Sequence, residues 1–388
     1  MPNPAKHPMK VLIIPDKFKG TLSSLQAAKA IASGWKKARP TDTIRILPLT
    51  DGGDGFGDCL RTLLQARQRS CQTINAAHQP CRSPWWISPD HQTVVIESAR
   101  CIGLAMLPPN KYHPFELNTQ GLAKLLLSAT RHKPKTCLVG IGGSATNDGG
   151  FGLATGLGWQ FLSANRQPIT QWPDLIHLRH IIPPPEPPLP KTTQIIIATD
   201  VQNPLLGRLG ATRIYGPQKG IRPQDIQPAN QALQQLSRIL SKYSGQNFAP
   251  NPGAGAAGGL GFGLLAFANA SIQPGTDIYS HYANLPQHLD WADLVITGEG
   301  RIDASSLMGK GVGEIARQTQ KRNLPCIAIA GSILQPKTLQ NHFTAIYPLT
   351  PNIAPLQQAL QNPKPCLHSA ANLAATAYRG RTRATLCK

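Results

Sequence analysis

Short apolar runs separated by amphipathic stretches dominate the chain and predict alternating strands and helices. Five such runs, at residues 10–15, 43–49, 293–297, 326–330 and 343–347, have the length and apolar character of buried strands. Each is separated from the next by a predicted helix or by the whole middle of the sequence. This alternation is typical of an α/β fold with a doubly wound parallel sheet, into which the middle section is inserted.

The length of the chain, 388 residues, favours two domains over one core. We assign residues 9–75 and 286–388 to a discontinuous α/β domain and residues 76–285 to an inserted α/β domain that carries glycine-rich loops. A helix is predicted over residues 56–67, and short strands follow it. Residues 1–8 are predicted to be a flexible leader.

The densest glycine cluster follows an apolar run at residues 137–141. Its glycines and the polar residues between them are Gly142, Gly143, Ser144, Thr146, Asn147, Asp148, Gly149 and Gly150. Glycines let backbone N–H groups approach a ligand closely, and a helix predicted after this loop would present its N-terminus to an anion. The pattern predicts a loop that binds phosphate or carboxylate. A tight turn without a ligand is the alternative interpretation.

Acidic residues follow apolar runs at five places along the chain: Asp16, Asp51, Glu97, Asp200 and Glu299. A single acid in such a position is an ordinary helix cap. Five of them, alternating with glycine-rich loops, predict a site for phosphates and a divalent cation, because carboxylates bind Mg²⁺ together with phosphate oxygens. Lys19 lies near the first of these acids and is suited to neutralise a transferring phosphoryl group, although a solvated lysine is the alternative.

A second glycine-rich segment, residues 253–258, satisfies the G-x-G-x-x-G pattern of dinucleotide-binding proteins, and Asp277 follows at about the spacing of a ribose-binding acid. The residues before it, 247–252, do not form a predicted strand, which this fingerprint requires. We therefore predict either a second anion loop or a close-packed helix start. A nicotinamide-dependent hydroxy-acid dehydrogenase is kept as an alternative function.

The chain is strongly basic, with 39 lysines and arginines against 19 acidic residues and a formal net charge of +20. Such an excess is typical of proteins that bind nucleic acids, which is a second alternative. The basic residues are scattered, however, and the densest groups are only those at residues 131–135 and 379–383. A solvated basic surface without a nucleic-acid partner is the preferred interpretation.

Eight cysteines occur without any C-x-x-C pair, which disfavours a zinc or iron–sulfur site and predicts reduced thiols. No secretory signal is visible. The uncharged segment at residues 243–276 is too polar and too interrupted to span a membrane, and we interpret it as a glycine-rich loop followed by a buried helix. We therefore expect a cytoplasmic protein without a membrane partner.

Seven ordered motifs resemble those of the bacterial glycerate kinase family of the two-domain α/β type. They lie at residues 15–20, 51–55, 140–150, 200–207, 216–220, 253–261 and 297–303. The resemblance extends from Met9 over nearly the whole chain. It implies one flavodoxin-like domain and one restriction-enzyme-like domain. It also implies transfer of the γ-phosphoryl group of ATP to D-glycerate with Mg²⁺, with 2-phosphoglycerate as the favoured product.

Under this resemblance we predict Asp200, Lys19 and Asp16 as catalytic residues, with Asp200 holding the metal or accepting the proton of the attacking hydroxyl. Lys19 and Lys219 offset charge on the transferring group, and Arg301 holds the glycerate carboxylate in a bidentate pair. The predicted phosphate- and substrate-binding residues are Gly142, Gly143, Ser144, Thr146, Asn147, Lys219, Gly255, Gly258, Gly259 and Arg301. The predicted metal ligands are Asp51, Asp54, Asp200 and Glu299.

The chain departs from the family pattern at a few positions. Lys17 stands where a serine is usual and Asp54 where a glutamate is usual, and both keep groups suited to phosphate or cation chemistry. Leu122 and Ala123 stand where a threonine and a glycine are usual, which changes the expected ligand contacts of their loop. The sequence leaves open whether the 2- or the 3-hydroxyl is phosphorylated and whether the chain forms a homodimer.

Overall fold

The computed structural model describes residues 8–50, 52–307, 311–334, 336–339 and 341–378. Its strands, in chain order, are β1 (Lys10–Ile13), β2 (Thr43–Ile46), β3 (Arg67–Ile74), β4 (Pro80–Ile87), β5 (Thr93–Glu97), β6 (Thr136–Gly140), β7 (Gln160–Leu162), β8 (His180–Ile182), β9 (Gln194–Ala198), β10 (Ser271–Gln273), β11 (Leu294–Ile302), β12 (Cys326–Ile333) and β13 (Ala345–Pro348).

Helices precede or follow most of these strands. They are α1 (Ser24–Ala38), α2 (Phe56–Leu63), α3 (Ala99–Ile102), α4 (Gln120–Thr130), α5 (Phe151–Gly156), α6 (Ala211–Tyr215), α7 (Ile226–Ser244), α8 (Ala256–Phe267), α9 (Gly275–Tyr282), α10 (Leu285–Trp291), α11 (Gly311–Lys321), α12 (Pro336–Leu339), α13 (Leu356–Gln361) and α14 (Pro363–Ala377). The alternation of strands and helices gives the α/β class that the sequence predicts.

The chain divides into two compact units. The first unit contains the residues up to 51 and those from 279 onward, and the second unit is Gly52–Ile278. The boundaries predicted from the sequence lie near 75 and 285. The first boundary differs because β3 pairs along its whole length with β4 in an antiparallel hairpin, so that residues 52–75 pack with the second unit.

The first unit is built on a five-stranded parallel sheet in the order β13-β12-β11-β1-β2. Each of the five apolar runs identified in the sequence falls on one of these strands, which confirms the predicted parallel sheet. In the centre, Ile13 of β1 lies opposite Ile296 of β11 and Ile46 of β2. Continuous apolar runs suit such strands because both of their faces are covered.

Helix α1 shows how the local sequence determines one of the covering elements. The side chain of Ser23 accepts a hydrogen bond from the N–H of Gln26, whose side chain accepts one from the N–H of Ser23. This capping box satisfies N–H groups that the first turn of a helix leaves unpaired. Ala27, Ile31 and Trp35 are buried on one face of the helix, which packs against α14.

The second unit contains a six-stranded sheet in the order β10-β9-β6-β5-β4-β3. The four strands from β10 to β5 are parallel to their neighbours, and β4 and β3 extend the sheet in antiparallel fashion. The buried helix α8 follows the glycine-rich segment as predicted. A separate pair, β7 and β8, is antiparallel.

Two further sequence predictions concern cysteines and membranes. The seven cysteines in the described part of the chain are free thiols, five of them buried. Over the same residues, none of the helices combines the length and the apolar character that crossing a membrane requires.

Candidate active site

The carboxyl ends of three parallel strands in the second unit form the framework of the candidate site. Glu97 at the end of β5 lies opposite Gly140 of β6, which in turn lies opposite Ala198 of β9. The loops that leave these strands therefore begin side by side, at the edge where open α/β sheets hold ligands. The 142–150 loop and the segment at Asp200 both start from this edge.

The turn at residues 52–55 packs against the beginning of the 142–150 loop. A Cβ atom added to Gly142 would lie 2.5 Å from the Cα of Gly53. Gly143 has a φ of +76°, and a Cβ atom there would lie 1.9 Å from Oδ1 of Asp54. Both positions therefore require glycine, and the predicted metal ligand Asp54 lies directly over the loop.

Glu97 fixes the conformation of this turn. Its buried carboxylate accepts hydrogen bonds from the N–H groups of Gly55 (3.0 Å) and Gly57 (2.9 Å), and Nε of Arg100 lies 3.3 Å from it. Burial raises the pKa of Glu97, although these donors and the guanidinium act in the opposite direction. The carboxylate of Glu97 is thus occupied by hydrogen bonds from backbone N–H groups.

Asp148 organises the far end of the 142–150 loop. Its fully buried carboxylate accepts hydrogen bonds from the N–H and hydroxyl groups of Thr119 (2.9 and 2.8 Å), and from the N–H groups of Gly152 (2.9 Å) and Gly150 (3.3 Å). Burial raises the pKa of Asp148, and the four donors oppose this shift. Asp148 is not among the predicted site residues. The available signal is an acid three residues before the start of α5, which is an ordinary capping pattern.

A buried lysine connects this loop with the second glycine-rich segment. The amino group of Lys219 donates to Oγ of Ser144 (2.9 Å) and to the carbonyl oxygen of Thr146 (2.6 Å). Ser144 in turn donates to the carbonyl oxygen of Ala257 (3.0 Å). Lys219 is 7% exposed, and burial lowers its pKa to about 7, an effect that the charge of Asp148 opposes.

The second glycine-rich segment packs backbone to backbone against the first. Ala257, Gly258 and Gly259 have φ values of 55°, 71° and 86° within the start of α8. A Cβ atom on Gly258 would lie 2.0 Å from the carbonyl oxygen of Thr146. The interpretation of this segment as a close-packed helix start is therefore confirmed, while anion binding there stays a prediction.

The dinucleotide-binding interpretation lacks its structural context. The residues immediately before Gly253 form turns and irregular structure instead of a strand, as the sequence analysis expected. The fingerprint requires a strand that leads into the glycine turn. The glycine spacing in this segment instead serves close packing: a Cβ atom on Gly255 would lie 2.2 Å from the carbonyl oxygen of Pro204.

Asp200 is partly exposed just after β9. Its Oδ1 accepts hydrogen bonds from the N–H group (3.4 Å) and the hydroxyl group (3.2 Å) of Thr276 near the start of α9. The segment that follows Asp200 meets the second glycine-rich segment, since the N–H of Gly255 donates to the carbonyl oxygen of Asn203 (2.8 Å). The segment that follows Asp200 thus packs against Gly255, one of the predicted binding residues.

The polar side chains of the 142–150 loop face the protein interior. Ser144, Thr146 and Asn147 are all buried, and Nδ2 of Asn147 donates to the hydroxyl of Thr212 (3.0 Å). Gly142 is only half-buried and Gly143 is exposed. The surface that this loop offers to a ligand is therefore mainly backbone.

In the first unit, Asp16 lies just beyond β1, and Glu299 lies in the carboxyl half of the neighbouring strand β11. The N–H of Asp16, just beyond β1, donates to the carbonyl oxygen of Gly298 in β11 (2.7 Å). Oδ1 of Asp16 accepts a hydrogen bond from the N–H of Lys17 (2.7 Å). Both acids are partly exposed, and the parallel register places them on adjacent chain segments although they are 283 residues apart in the sequence.

Two predicted cationic residues lie close to these acids. Lys19 is exposed, and its backbone nitrogen lies 3.4 Å from the position of a Cβ atom added to Gly300. Arg301 is exposed on β11, opposite Ser332 of β12. This part of the first unit therefore carries the two acids, Asp16 and Glu299, together with the two predicted cations.

Comparison with known proteins identifies the family. The model of the glycerate kinase family matches residues 11–379 of the chain. The chain belongs to the glycerate kinase family. A glycerate kinase from Halalkalibacterium halodurans is 35% identical over 364 residues, which cover 93% of this chain and 96% of the relative. A glycerate 2-kinase from Escherichia coli K12 is 34% identical over 356 residues, which cover 91% and 93%.

A solved structure gives the same result for the fold. The crystal structure of a Salmonella typhimurium LT2 protein described as glycerate kinase 2 is similar with a TM-score of 0.79 and 32% sequence identity, and the match covers 95% of this chain and 97% of that one. The resemblance inferred from seven motifs is confirmed. The chain is an enzyme of a phosphotransferase family that uses an alcohol acceptor, and these comparisons support neither the dehydrogenase nor the nucleic-acid alternative.

Two of the positions at which this member of the glycerate kinase family departs from the expected pattern lie in the protein interior. Leu122 and Ala123 are buried in the hydrophobic core of the second unit, as part of α4. Thr119, just before this helix, bonds to Asp148 through its hydroxyl group. The two substituted residues contribute apolar packing, and the contact with the glycine loop is made by the threonine.

The predicted metal ligands are distributed over both units. Asp54 and Asp200 belong to the second unit and Glu299 to the first, whereas Asp51 lies outside the described residues. Across the described residues, no three His, Cys, Asp or Glu side chains are grouped so as to hold a metal ion. Mg²⁺ commonly uses one or two carboxylates together with water and substrate phosphates, so the oxygen chemistry of Asp54 and Asp200 fits a nucleotide-associated Mg²⁺.

Proposed function

We propose that this protein transfers the γ-phosphoryl group of ATP to D-glycerate in an Mg²⁺-dependent reaction whose product is 2-phosphoglycerate. The observation that carries the proposal is that the two glycine-rich segments pack together and that the second of them contacts the segment following Asp200, in a chain that belongs to the glycerate kinase family. The relative from Escherichia coli named glycerate 2-kinase supports the choice of product. The polypeptide thus supplies backbone donors for phosphates and a carboxylate for the attacking hydroxyl.

In our proposal the phosphates of ATP lie along the 142–150 and 253–261 segments. The exposed Gly143 offers its backbone N–H group, which suits a phosphate oxygen because it is fixed and needs no side-chain ordering. The N–H group of the half-buried Gly142 instead donates to the carbonyl oxygen of Gly52 (3.5 Å), which holds the loop against the turn at residues 52–55. Gly258 and Gly259 are included because they hold the second segment against the first, and Gly255 because it packs against Asn203 and Pro204. Lys219 adds positive charge beneath the phosphates without being exposed to them.

Asp200 is the proposed general base. The 2-hydroxyl oxygen of D-glycerate attacks the γ-phosphorus, the bond from that phosphorus to the β,γ-bridging oxygen breaks, ADP leaves, and the carboxylate takes the hydroxyl proton. Thr276 orients this carboxylate through its two hydrogen bonds to Oδ1. Asp54 and Asp200 would hold Mg²⁺, with Asp51 and Glu299 as further candidates, and the bound ion would neutralise charge on the phosphate oxygens.

The first unit contributes the residues proposed for the three-carbon acid. Arg301 is exposed and presents a planar guanidinium group that matches a carboxylate with two parallel hydrogen bonds. Lys19 offsets charge on the transferring group. Asp16, which lies near this lysine after β1, is proposed as a further catalytic residue. The strand order of this unit, counted along its own strands as 2-1-3-4-5, supports the flavodoxin-like description. The restriction-enzyme-like description of the second unit remains a proposal.

The activity can be tested with the purified protein, ATP, MgCl₂ and a panel of small hydroxy acids that includes D-glycerate, L-glycerate and glycolate. We expect ADP release with D-glycerate, loss of that release in excess EDTA, and a phosphorus NMR signal at the position of 2-phosphoglycerate. Formation of 3-phosphoglycerate would contradict the proposed regiochemistry. Absence of ADP release with every acid would overturn the kinase proposal, and reduction of a nicotinamide by glycerate would favour the dehydrogenase.

Replacement of Arg301 by alanine is expected to raise the KM for D-glycerate by about 100-fold, because a bidentate charged pair contributes roughly 3 kcal/mol. The KM for ATP should change little. Arg301→Lys keeps the charge but loses the planar pair, so we expect an intermediate value. Arg317→Ala is a matched control in the same unit, since this arginine pairs with Glu314 at the surface. Equal KM values for glycerate in Arg301→Ala and the control would remove Arg301 from the site.

A further inference from the structure

Lys219 has an environment that is unusual for a phosphate-binding lysine. It is 7% exposed, and both hydrogen bonds of its amino group go to oxygens of the protein, Oγ of Ser144 and the carbonyl oxygen of Thr146. It lies at the end of the 3₁₀ helix Pro217–Lys219, just before Gly220, whose φ of +97° closes the turn. The side chain therefore reaches into the protein beneath the glycine loop.

A cation in this position is costly, because burial disfavours the charged form of an amine. Burial lowers the pKa of Lys219 to about 7, and Asp148 is the acid whose charge opposes this shift. An apolar side chain would fill the space without that cost. Because the buried amino group of Lys219 donates to two points of the 142–150 loop, its role is best explained as fixing the conformation of that loop.

The bonds continue from the loop into the second glycine-rich segment. Ser144 receives a hydrogen bond from Lys219 and donates its own proton to the carbonyl oxygen of Ala257. The N–H of Gly149 donates to the carbonyl oxygen of Gly258 (3.1 Å). The series of hydrogen bonds from Lys219 through Ser144 to Ala257 thus reaches the left-handed turn at which α8 begins.

We propose that Lys219 is a positioning residue whose buried amino group, acting through Ser144, holds the 142–150 loop and the left-handed start of α8 in one fixed arrangement. This role rests on the proposed function only where it concerns the binding of ATP. The coupling between the two segments is a property of the fold and can be measured without a substrate. A lysine that only offset phosphate charge would have no effect on the mobility of the second segment.

Amide hydrogen exchange tests the coupling directly. In Lys219→Met we expect exchange at least about tenfold faster than in the wild type in both the 142–150 and the 253–261 segments, because local opening requires only the loss of local bonds. Lys242→Met, at an exposed lysine of α7, should exchange like the wild type. Leu240→Ala, in the buried face of the same helix, should accelerate exchange across the second unit without singling out these segments. Faster exchange in the first segment alone, or in neither, would overturn the proposal.

The serine provides a second, smaller change in case Lys219→Met does not fold. Ser144→Ala removes the link to Ala257 while the bond from Lys219 to Thr146 stays. We expect faster exchange in the 253–261 segment and, in the double variant, an effect smaller than the sum of the two single changes, because both act on one network. Wild-type exchange in both segments of Ser144→Ala would contradict the proposed route through the serine.

Steady-state kinetics then test whether the enzyme uses this coupling. Lys219→Met is expected to raise the KM for ATP by about tenfold and to leave the KM for D-glycerate within a factor of about three, since misplaced phosphate donors affect the nucleotide first. Equal increases in both KM values would show a general loss of structure and overturn the positioning role. If the wild type does not phosphorylate glycerate, the proposed function fails while the exchange result still decides the coupling.

Discussion

Asp200→Asn is expected to lower kcat for the phosphorylation of D-glycerate by about 1000-fold, within the range that general base catalysis supplies. Asparagine has nearly the shape of aspartate and keeps an oxygen that can accept the two hydrogen bonds from Thr276. It cannot take a proton from the attacking hydroxyl, and it is a weaker ligand for Mg²⁺. The loss should therefore lie in the chemical step, with the fold of the second unit intact.

Two further variants separate the charge of Asp200 from its orientation. Thr276→Val removes the hydroxyl donor but leaves the carboxylate, so we expect a loss of only about tenfold in kcat, as is typical when one orienting hydrogen bond is removed. Asp277→Asn removes an exposed acid on the same helix and should leave kcat unchanged. A turnover of Asp200→Asn within threefold of the wild type would exclude Asp200 as the base.

The sheet of the first unit could be predicted from the sequence because its central strands β1, β11 and β12 are largely continuous apolar runs. Both faces of such strands are covered, so that the apolar signal needs no periodicity. The boundary at 75 differs from the structure because β3 carries a different pattern. Arg67 and Arg69 are exposed on it, and its partner β4 contains Pro80 and Pro84, which weaken the strand signal. Residues 64–67, which were predicted to end a helix, instead lead into this edge strand.

Some features of the candidate site can be predicted from the sequence and others cannot. Glycines and acids after strands mark a ligand-binding edge because the carboxyl ends of parallel strands share one side of a sheet. The burial of Lys219 could not be predicted, since it depends on Ser144 and Thr146, more than 70 residues away in the sequence. Asp148 was overlooked for a related reason, because its contact with Thr119 forms only when α4 and α5 pack together.

Gly258→Ala is expected to destabilise the second unit by about 2 to 5 kcal/mol and to abolish measurable binding of ATP. The left-handed backbone at this position costs a non-glycine residue about 1 to 2 kcal/mol. The added methyl group would also lie 2.0 Å from the carbonyl oxygen of Thr146, and such overpacking costs about 1 to 3 kcal/mol more. Because that carbonyl accepts the bond from Lys219, any relaxation must move the loop proposed to bind phosphate.

Gly245→Ala separates the two contributions. Gly245 has nearly the same φ, +72°, at the end of α7, but no heavy atom lies within 4 Å of an added Cβ atom. Urea unfolding followed by tryptophan fluorescence should show a cost of about 1 to 2 kcal/mol for this variant, with the KM for ATP unchanged. The excess cost in Gly258→Ala then measures the contact between the two glycine-rich segments. If both variants lose the same free energy of unfolding and Gly258→Ala still binds ATP, the contact at Gly258 relaxes at little energetic cost and does not determine the conformation of the nucleotide site.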